Sequence, residues 1–229
     1  MNEPEEDREL SPPPRKGDVL IRPGDEFPLA NACLNFGFSE YAYRQGYWRA
    51  AKLLAEHVCN MGRDQDLLVY PLVHNYRHHV ELTLKHLLAL GSYLSNREIT
   101  PQIRGLLWRS HSLTQLWGAL KPILFEVGAA VGWKPEKADI EGVESYVQQL
   151  SAADGGSYSF RYATDTNGNP SLPRMTHLNI YVFASHMEQL AEYLDTIAFG
   201  FSMEEDLKQE YEGYQAEMQA DFEAEMGSF

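Results

Sequence analysis

The chain has 229 residues, of which 44% are hydrophobic and 12% aromatic. That composition supplies enough apolar surface for a buried core and excludes a disordered body. The 19 basic and 33 acidic residues give a formal net charge of -14, so the surface as a whole repels phosphate backbones and anionic lipid, and any contact with nucleic acid is expected to be local. The two cysteines lack the spacing of a zinc motif.

The N-terminal sequence predicts a cytoplasmic protein that does not enter a membrane. It begins with the acidic segment MNEPEEDREL, whereas a signal peptide needs a basic and then an apolar stretch. No apolar run approaches the roughly 20 residues that cross a bilayer. Residues 1–18 combine charges with prolines, so we expect a disordered tail, followed by a helical domain over residues 19–201.

Helical periodicity begins near Ser39, a residue type that commonly caps helices. Apolar and aromatic residues then recur every three or four positions, at Tyr43, Tyr47, Ala50, Leu54 and Val58. Gly62 is expected to end this helix. A second helix is predicted from the acidic residues near Asp64 to Gly91, since glycine suits the left-handed residue that closes a helix.

Two capping signals mark the next helices. Thr100 precedes a proline, which is favoured in the first helical turn. Ser112 and Gln115 have the spacing of a capping box, in which the two side chains satisfy backbone N–H groups at a helix start. A shorter helix is predicted in KADIEGVESYVQQLSAA, residues 137–153.

The segment SYSFRYATDTNGNPSLPR interrupts the helical pattern. Tyr158, Phe160 and Tyr162 alternate with polar residues, and the Asn167–Gly168 pair favours a tight turn. Alternation next to a turn signal is typical of paired strands. We therefore expect a short β-hairpin or an extended arm here.

Two further helices are predicted after this segment. The first, in LNIYVFASHMEQLAEYLDTIAFG, has the spacing of a core helix. Ser202 and Glu205 have capping-box spacing, which predicts that a separate acidic amphipathic helix begins there and covers residues 202–229. The fold class is therefore predicted as all-α: a multi-helix bundle with a short β-hairpin or extended arm before the last core helix.

The stretch YRHHVELTLKHLL places charges on the apolar face of the second helix. Arg77, Glu81 and Lys85 are spaced four residues apart and lead from the edge of the core outwards. His74 and His78 lie on the same flank. An arginine among core leucines loses hydration that it can recover only through a good partner, and Glu81 is one turn away.

Three interpretations of this flank stay open. It is a structural ion pair that fixes helix packing, or a groove formed by Arg77, Glu81, Lys85 and His74 for a nucleotide or small anion, or a metal site. Metal binding is disfavoured because the Lys85 ammonium would stand beside the His74 and His78 ligands. We therefore predict no metal and no cofactor.

Residues 203–226 combine strong negative charge with an apolar row. Nine carboxylates and one lysine give them a local charge of about -8. The row is formed by Met203, Leu207, Tyr211, Tyr214, Met218, Phe222 and Met226. We call its central members, Leu207, Tyr211, Tyr214, Met218 and Phe222, the terminal stripe. The stripe either packs on its own bundle or serves as an interface for a protein partner or for a second copy in a homodimer.

The run YRHHVELTLKHLL, followed by HSLTQLW and later by SFRYATDTNGNPSL, resembles the helical HEPN family. The resemblance covers about residues 66–197. It implies a four- or five-helix bundle that is frequently dimeric. Members occur in toxin–antitoxin pairs and antiviral defence, and some are metal-independent ribonucleases.

Active members of that family carry an arginine, four to six further residues and then a histidine. The literal match in this sequence is Arg104 with His111, in RGLLWRSH. It departs from the family pattern because a glycine follows Arg104 and because His111 lies just outside the Ser112 cap. Arg77 and His78 are the alternative catalytic candidates, although their spacing does not match.

The sequence therefore predicts a HEPN-like helical protein that works by protein–protein recognition, in a prokaryotic defence or toxin–antitoxin context. The acidic surface, the apolar row of the C-terminal helix and the altered ribonuclease motif all favour this interpretation. Two alternatives stay open. One is a metal-independent endoribonuclease, and the other is a binding module for a nucleotide or small anion.

Overall fold

The computed structural model describes residues 13–17, 20–21, 24, 27–34 and 39–226. Most of the predicted disordered tail lies outside the described residues. The chain divides into two compact units, residues 1–39 and 40–229. In the first unit, Pro28–Ala30 form one turn of 3-10 helix. The side-chain amide of Asn31 pairs with the backbone N–H and C=O of Gly24, at 2.9 and 2.8 Å.

Six α-helices form most of the rest of the described chain. They are α1 (Ser39–Met61), α2 (Gln65–Leu94), α3 (Pro101–Arg109), α4 (Leu113–Val131), α5 (Lys137–Ala153) and α6 (Ile180–Met226). The central helix is α2, which packs against α6, α4 and α3, and α5 covers α4. Leucines of α2 and α4, together with apolar residues of α6, form a continuous core. The prediction of a mostly helical bundle is confirmed.

Local signals set most of the helix ends where they were predicted. Gly62 follows α1 with a φ of 64°, in the left-handed region. Thr100 Oγ1 accepts a backbone N–H of the first turn of α3 at 3.3 Å. Ser112 Oγ accepts the N–H of Gln115 at 3.4 Å. Only half of that capping box forms, because the Gln115 side chain accepts from Ser110 Oγ instead.

Gly91 does not end α2, which continues to Leu94. A Cβ atom on Gly91 would lie 2.6 Å from Ile123 Cγ2 and 3.0 Å from Phe201 Cε2. The glycine is therefore needed for the close approach of α4 and α6 to α2, and the predicted C-cap is wrong. Helix-ending glycines and close-packing glycines look alike in a sequence, although the first is needed for its positive φ, as at Gly62, and the second for its missing side chain, as at Gly91.

The predicted β-hairpin does not form in the described chain. Between α5 and α6 there are turns and one isolated antiparallel bridge, between Thr164 and Pro170. The amides of Arg161 and Tyr162 both donate to the Tyr158 carbonyl, so this backbone is coiled rather than extended. Residues four apart share a side of a strand and also of a helical turn, and the alternating pattern therefore did not distinguish the two.

The last two predicted helices are one. The helix α6 runs without a break through Ser202 and extends for 47 residues, so the helix start predicted there is wrong. Gly200 alone costs about 1 kcal/mol in a helix interior, which good helix formers on both sides outweigh. We refer to Ile180–Phe201, which lines the core, as inner α6, and to residues 202–226 as outer α6.

Candidate functional site

Arg77 is completely enclosed, with 0% of its surface exposed. Its Nη1 donates to Glu81 Oε2 at 3.1 Å, its Nε to the Asp154 carbonyl at 2.9 Å and its Nη2 to the His111 carbonyl at 2.7 Å. The guanidinium thus connects α2 to the end of α5 and to the residue before the α4 cap. A ligand cannot reach it without displacing these contacts.

Glu81 is the second enclosed member of the ladder, at 1% exposure. Its Oε1 accepts Lys85 Nζ and also lies 2.9 Å from His111 Nδ1, while its Oε2 accepts Arg77. Burial raises the pKa of Glu81, but the hydrogen bonds and charges of Lys85 and His111 outweigh it, so the pKa lies below its ordinary value. The predicted ladder therefore exists, and His111 joins it from the connection between α3 and α4.

Asp154 completes this network and was missed in the sequence. It is buried, and its Oδ1 accepts the amides of Tyr158 and Ser159 at 2.7 and 2.9 Å. Its Oδ2 lies 3.7 Å from Arg77 Nε and has no hydrogen bond. The sequence contained one indication of its role, namely its position directly after α5. The helix dipole disfavours a carboxylate at that end unless another contact compensates.

His74 and His78 form a ring pair on the flank of the ladder. Their ring centroids are 5.7 Å apart and nearly parallel, and the His78 ring meets Tyr47 edge-on at 4.4 Å. Burial lowers the pKa of both histidines, that of His78 to about 4. Both rings are therefore neutral at physiological pH, and the positive charge at the edge of this flank comes from Lys85.

His111 is the accessible member of the network, with 53% of its side chain exposed. Because the Glu81 carboxylate holds Nδ1, the other ring nitrogen is the one available to a ligand. A carboxylate-oriented histidine can transfer protons in catalysis. Arg104 does not belong to this network. Its side chain is exposed, lies over the Trp108 ring at 5.5 Å and forms no hydrogen bond with His111.

A second buried polar group lies between α1, α2 and α6. Arg44 Nη1 is 3.5 Å from Asp195 Oδ1, and Gln45 Nε2 donates to Asp195 Oδ2 at 3.0 Å. The carbonyl of Arg44 accepts a hydrogen bond from His79 Nδ1 at 3.0 Å. Burial lowers the pKa of His79, which is fully enclosed. These contacts attach α1 to α2 and α6. His79 takes part in them as a neutral ring, not as a ligand of a metal.

The terminal stripe is open to solvent, with each of its five side chains between 56% and 64% exposed. Outer α6 is attached near its root, where Lys208 Nζ donates to the Tyr93 carbonyl and to Asn96 Oδ1, both at 2.6 Å. Tyr93 Oη donates to Glu212 at 2.9 Å. The interpretation in which the stripe packs on its own bundle is therefore wrong for the described chain.

Comparison with protein-family models gave no match, and neither curated proteins nor solved structures gave one. The HEPN resemblance thus stays a prediction. Within the described ranges, no group of three or more His, Cys, Asp or Glu side chains could hold a metal ion. None of the described helices has the length and apolar character that crossing a membrane requires.

Proposed function

We propose that this protein acts by protein–protein recognition, with the terminal stripe of outer α6 inserted into an apolar groove of a partner. The observation that carries the proposal is the exposure of the whole stripe on a helix that the described bundle leaves uncovered. Contiguous exposed apolar surface marks interaction sites, because leaving it in water is unfavourable.

The spacing and composition of the stripe suit insertion of a helix into a groove. Anchors three or four residues apart lie on one side of a helix, as in this mode of recognition. Tyrosine, methionine and phenylalanine are enriched in the cores of interfaces. Lys208 anchors the root of outer α6 to the end of α2, which presents the stripe in a fixed direction and lowers the entropic cost of binding.

Charge selects the kind of partner. Carboxylates of outer α6 surround the stripe, and the region carries only one lysine. A groove with a basic rim complements this surface and accelerates association at low salt. A second copy would bring another helix of the same negative charge, so the charge favours a different protein over the homodimer that the sequence also suggested.

The HEPN resemblance supports a context for this partner. If the resemblance holds, the partner belongs to a prokaryotic defence or toxin–antitoxin assembly. The exposure of the terminal stripe supports binding through this surface. Only the resemblance supports a defence or toxin–antitoxin setting, so the two parts of the proposal are tested separately.

The decisive experiment uses the full-length chain as bait in a lysate from cells that carry it, followed by purification of the retained protein and measurement of its Kd. A Tyr211→Ser/Tyr214→Ser/Met218→Ser variant should weaken binding by about 100-fold, since three interface anchors contribute roughly 1 kcal/mol each. The matched control replaces three exposed apolar residues elsewhere, in Trp108→Ser/Tyr181→Ser/Phe199→Ser.

The control should change the Kd by no more than about twofold. Equal binding by the stripe variant and the wild type would refute the proposal. Light scattering distinguishes the remaining possibility: a wild-type dimer that the stripe variant converts to a monomer would replace the basic partner with a second copy.

A second candidate function, metal-independent RNA cleavage, is favoured by the pairing of His111 with Glu81. Such an enzyme needs a histidine that moves the 2'-hydroxyl proton and a cation that stabilises charge developing on the phosphate. Lys85 and His111 share one oxygen of Glu81, so Lys85 is the available cation near that ring, whereas Arg77 is enclosed. Of the groove predicted for a nucleotide or small anion from Arg77, Glu81, Lys85 and His74, Arg77 and Glu81 are enclosed, and Lys85 is partly exposed.

Incubation of RNA with purified protein in EDTA tests this alternative. If the protein is a recognition module alone, cleavage should not exceed that of a His111→Ala variant. Cleavage that His111→Ala abolishes and Lys85→Met reduces, while Arg104→Ala leaves it unchanged, would establish the enzyme. Cleavage lost in Arg104→Ala would instead favour the literal family motif.

A further inference from the structure

The helix α1 is attached to the bundle by few large apolar side chains. Its buried apolar residues are Ala51, Ala55 and Val58, whereas α4 buries a tryptophan together with leucines and an isoleucine. The backbone of α1 also approaches α2 less closely than the backbones of α4 and α6 do. Because apolar stabilisation grows with the area buried, the apolar attachment of α1 is weaker than that of α4.

Polar contacts supply the rest of the attachment. On the side of α6, Trp48 Nε1 donates to Glu188 Oε1 at 3.1 Å, and Lys52 Nζ lies 3.5 Å from Glu188 Oε2. Further along α6, Asp195 accepts the Gln45 amide. The position of α1 therefore depends on charges and hydrogen bonds, which respond to protonation, whereas apolar contacts do not.

Three histidines of α2 lie against α1: His78, His79 and His86. Their neighbours on α1 are the Tyr47 ring, the Arg44 carbonyl and the Glu40 carboxylate, respectively. The Nε2 atoms of His79 and His86 are buried and have no hydrogen-bond partner among the described residues. Since His79 Nδ1 donates to the carbonyl, an added proton would occupy Nε2, where the new N–H would lack an acceptor.

Charges of both signs surround His79 and His86. The groups concerned are Arg44 and Glu40 of α1 and Asp195 and Glu188 of α6. Burial is the largest effect on each ring and lowers its pKa; the Arg44 guanidinium acts in the same direction, and the carboxylates act in the opposite one. Both rings are therefore neutral at physiological pH while α1 is in place.

His78 is held neutral in the same way. Burial is the largest effect on its ring and lowers its pKa to about 4. Within α2, the Glu81 carboxylate opposes this shift, while His74, Lys85 and Arg77 add to it. All three rings thus take up protons more readily when the departure of α1 leaves them in water, where the pKa of histidine is about 6.5.

We propose that α1 is a pH-sensitive strap: protonation of these three histidines releases it from α2 and inner α6 while the other helices stay folded. The strap pivots at residues 62–64, which join it to α2 and include two positions of positive φ, Gly62 and Asp64. Release uncovers the sides of α2 and inner α6 on which α1 lies. It involves no residue of the terminal stripe and is independent of the proposed recognition function.

The direction of the pH dependence follows from the protons bound. Between the lowered pKa values and about 6.5 the released state binds more protons, so release increases as the pH falls below about 6.5. A histidine that is neutral in the docked state and has its ordinary pKa after release favours release by up to about 30-fold between pH 7.5 and pH 5. Three such histidines make the transition steeper than one would.

Spin-label distances in the full-length protein test the release. The exposed Cys33 and Cys59 are replaced by serine, and labels are attached to a Tyr43→Cys/Glu192→Cys pair at exposed positions of α1 and α6. One distance is expected at about pH 7.5, and a second, longer distance should appear at about pH 5. A control pair, Phe125→Cys/Glu192→Cys, joins α4 to α6 and should keep one distance at both values of pH.

Matched variants identify the titrating groups. His79→Asn/His86→Asn removes two of them and retains a side-chain N–H group in place of each Nδ1, so release at about pH 5 should become at least about tenfold less favourable. His78→Gln tests the third ring separately, and it replaces the double variant if that variant already releases α1 at about pH 7.5. The control His177→Asn removes an exposed histidine between α5 and α6 and should behave as the wild type.

Three results would overturn the proposal. The first is an unchanged distance between positions 43 and 192 at about pH 5. The second is simultaneous broadening of both label pairs, which would show that the whole bundle unfolds together with α1. The third is release that keeps its wild-type pH dependence in the α2 variants, or that His177→Asn reduces to the same extent.

Discussion

Charged side chains are usually exposed and apolar ones buried, and α2 and outer α6 depart from this rule in opposite ways. In α2 the charged residues Arg77 and Glu81 are enclosed, whereas outer α6 leaves tyrosine, methionine and phenylalanine in solvent. Both sequences show an apolar row with charges beside it. The difference arises from their surroundings, because α2 lies among α3, α4 and α6 while outer α6 extends beyond the helices that could cover it.

This difference assigns distinct roles to the two regions. The charges of α2 are held by groups from other parts of the chain, the carbonyls of His111 and Asp154, so changing them should alter stability. The apolar residues of outer α6 contact little of the described bundle, so changing them should alter binding instead. Four predictions test this division.

The largest effect is expected from Arg77→Met. The change leaves the Asp154 carboxylate buried without a positive partner and two carbonyls without their donor, so the free energy of unfolding should fall by about 3 kcal/mol or more. Glu81 Oε2 loses its hydrogen bond to Arg77 in the same variant, so adding Glu81→Gln should recover part of the loss. Chemical denaturation of the single and double variants measures both effects.

The matched control is Arg97→Met, which removes an exposed arginine that pairs with Glu126. Exposed ion pairs contribute about 0–1 kcal/mol, so this variant should unfold nearly as the wild type does. Equal losses for the Arg77 and Arg97 variants would show that α2 does not hold its charges in an enclosed site.

The second prediction is a loss of stability in acid. Burial lowers the pKa of His78, His79 and His86, that of His78 to about 4, whereas these groups titrate near 6.5 in an unfolded chain. Between those values the unfolded chain binds more protons, so the free energy of unfolding decreases as the pH falls from about 6.5 towards 4. The Tm should be lower by at least about 4 °C at pH 5 than at pH 7.5.

A His78→Gln variant is the control for this titration. It removes one of the shifted groups, so its Tm should fall less steeply with pH than that of the wild type. A Tm that stays constant or rises between about pH 7.5 and pH 5 would show that these histidines are not held neutral in the fold.

A smaller effect is expected from Lys85→Met, at the outer end of the ladder. Glu81 keeps Arg77 and His111 after this change, and the Lys85 side chain is partly in solvent. The free energy of unfolding should therefore fall by only about 1 kcal/mol. A loss as large as that of Arg77→Met would show that Lys85, at the outer end, stabilises the fold as much as the enclosed Arg77 does.

The smallest effect on stability is expected from Met218→Ala in the terminal stripe. Its side chain is 56% exposed, so truncation should change the free energy of unfolding by no more than about 0.5 kcal/mol. The same substitution at Met187, which is buried in inner α6, should cost about 2–5 kcal/mol. Similar losses at both positions would show that outer α6 is covered in solution.

The sequence alone determined the parts of the structure that depend on nearby residues. The ends of α1, α3 and α4 follow from Gly62, Thr100 and Ser112, because these residues act on backbone groups within one turn. The Arg77–Glu81 pair follows for the same reason, since residues four apart are neighbours on a helix.

Contacts between distant residues were decided only by the tertiary structure. Arg77 meets Asp154 and His111, which lie 77 and 34 residues away along the chain, and no local pattern brings them together. The role of Gly91 also depends on distance in space, because Ile123 and Phe201 belong to other helices. A single sequence shows the chemical type of such residues but not which residues lie next to them in the fold.

The terminal stripe shows the limit of sequence information most directly. Spacing along the chain determined that its residues share one side of a helix, because the helical period is a property of the backbone. Whether that side is covered depends on which surfaces lie opposite it, and the path of the other five helices decides this. Inner and outer α6 have similar apolar spacing; one half is buried and the other exposed because the bundle ends between them.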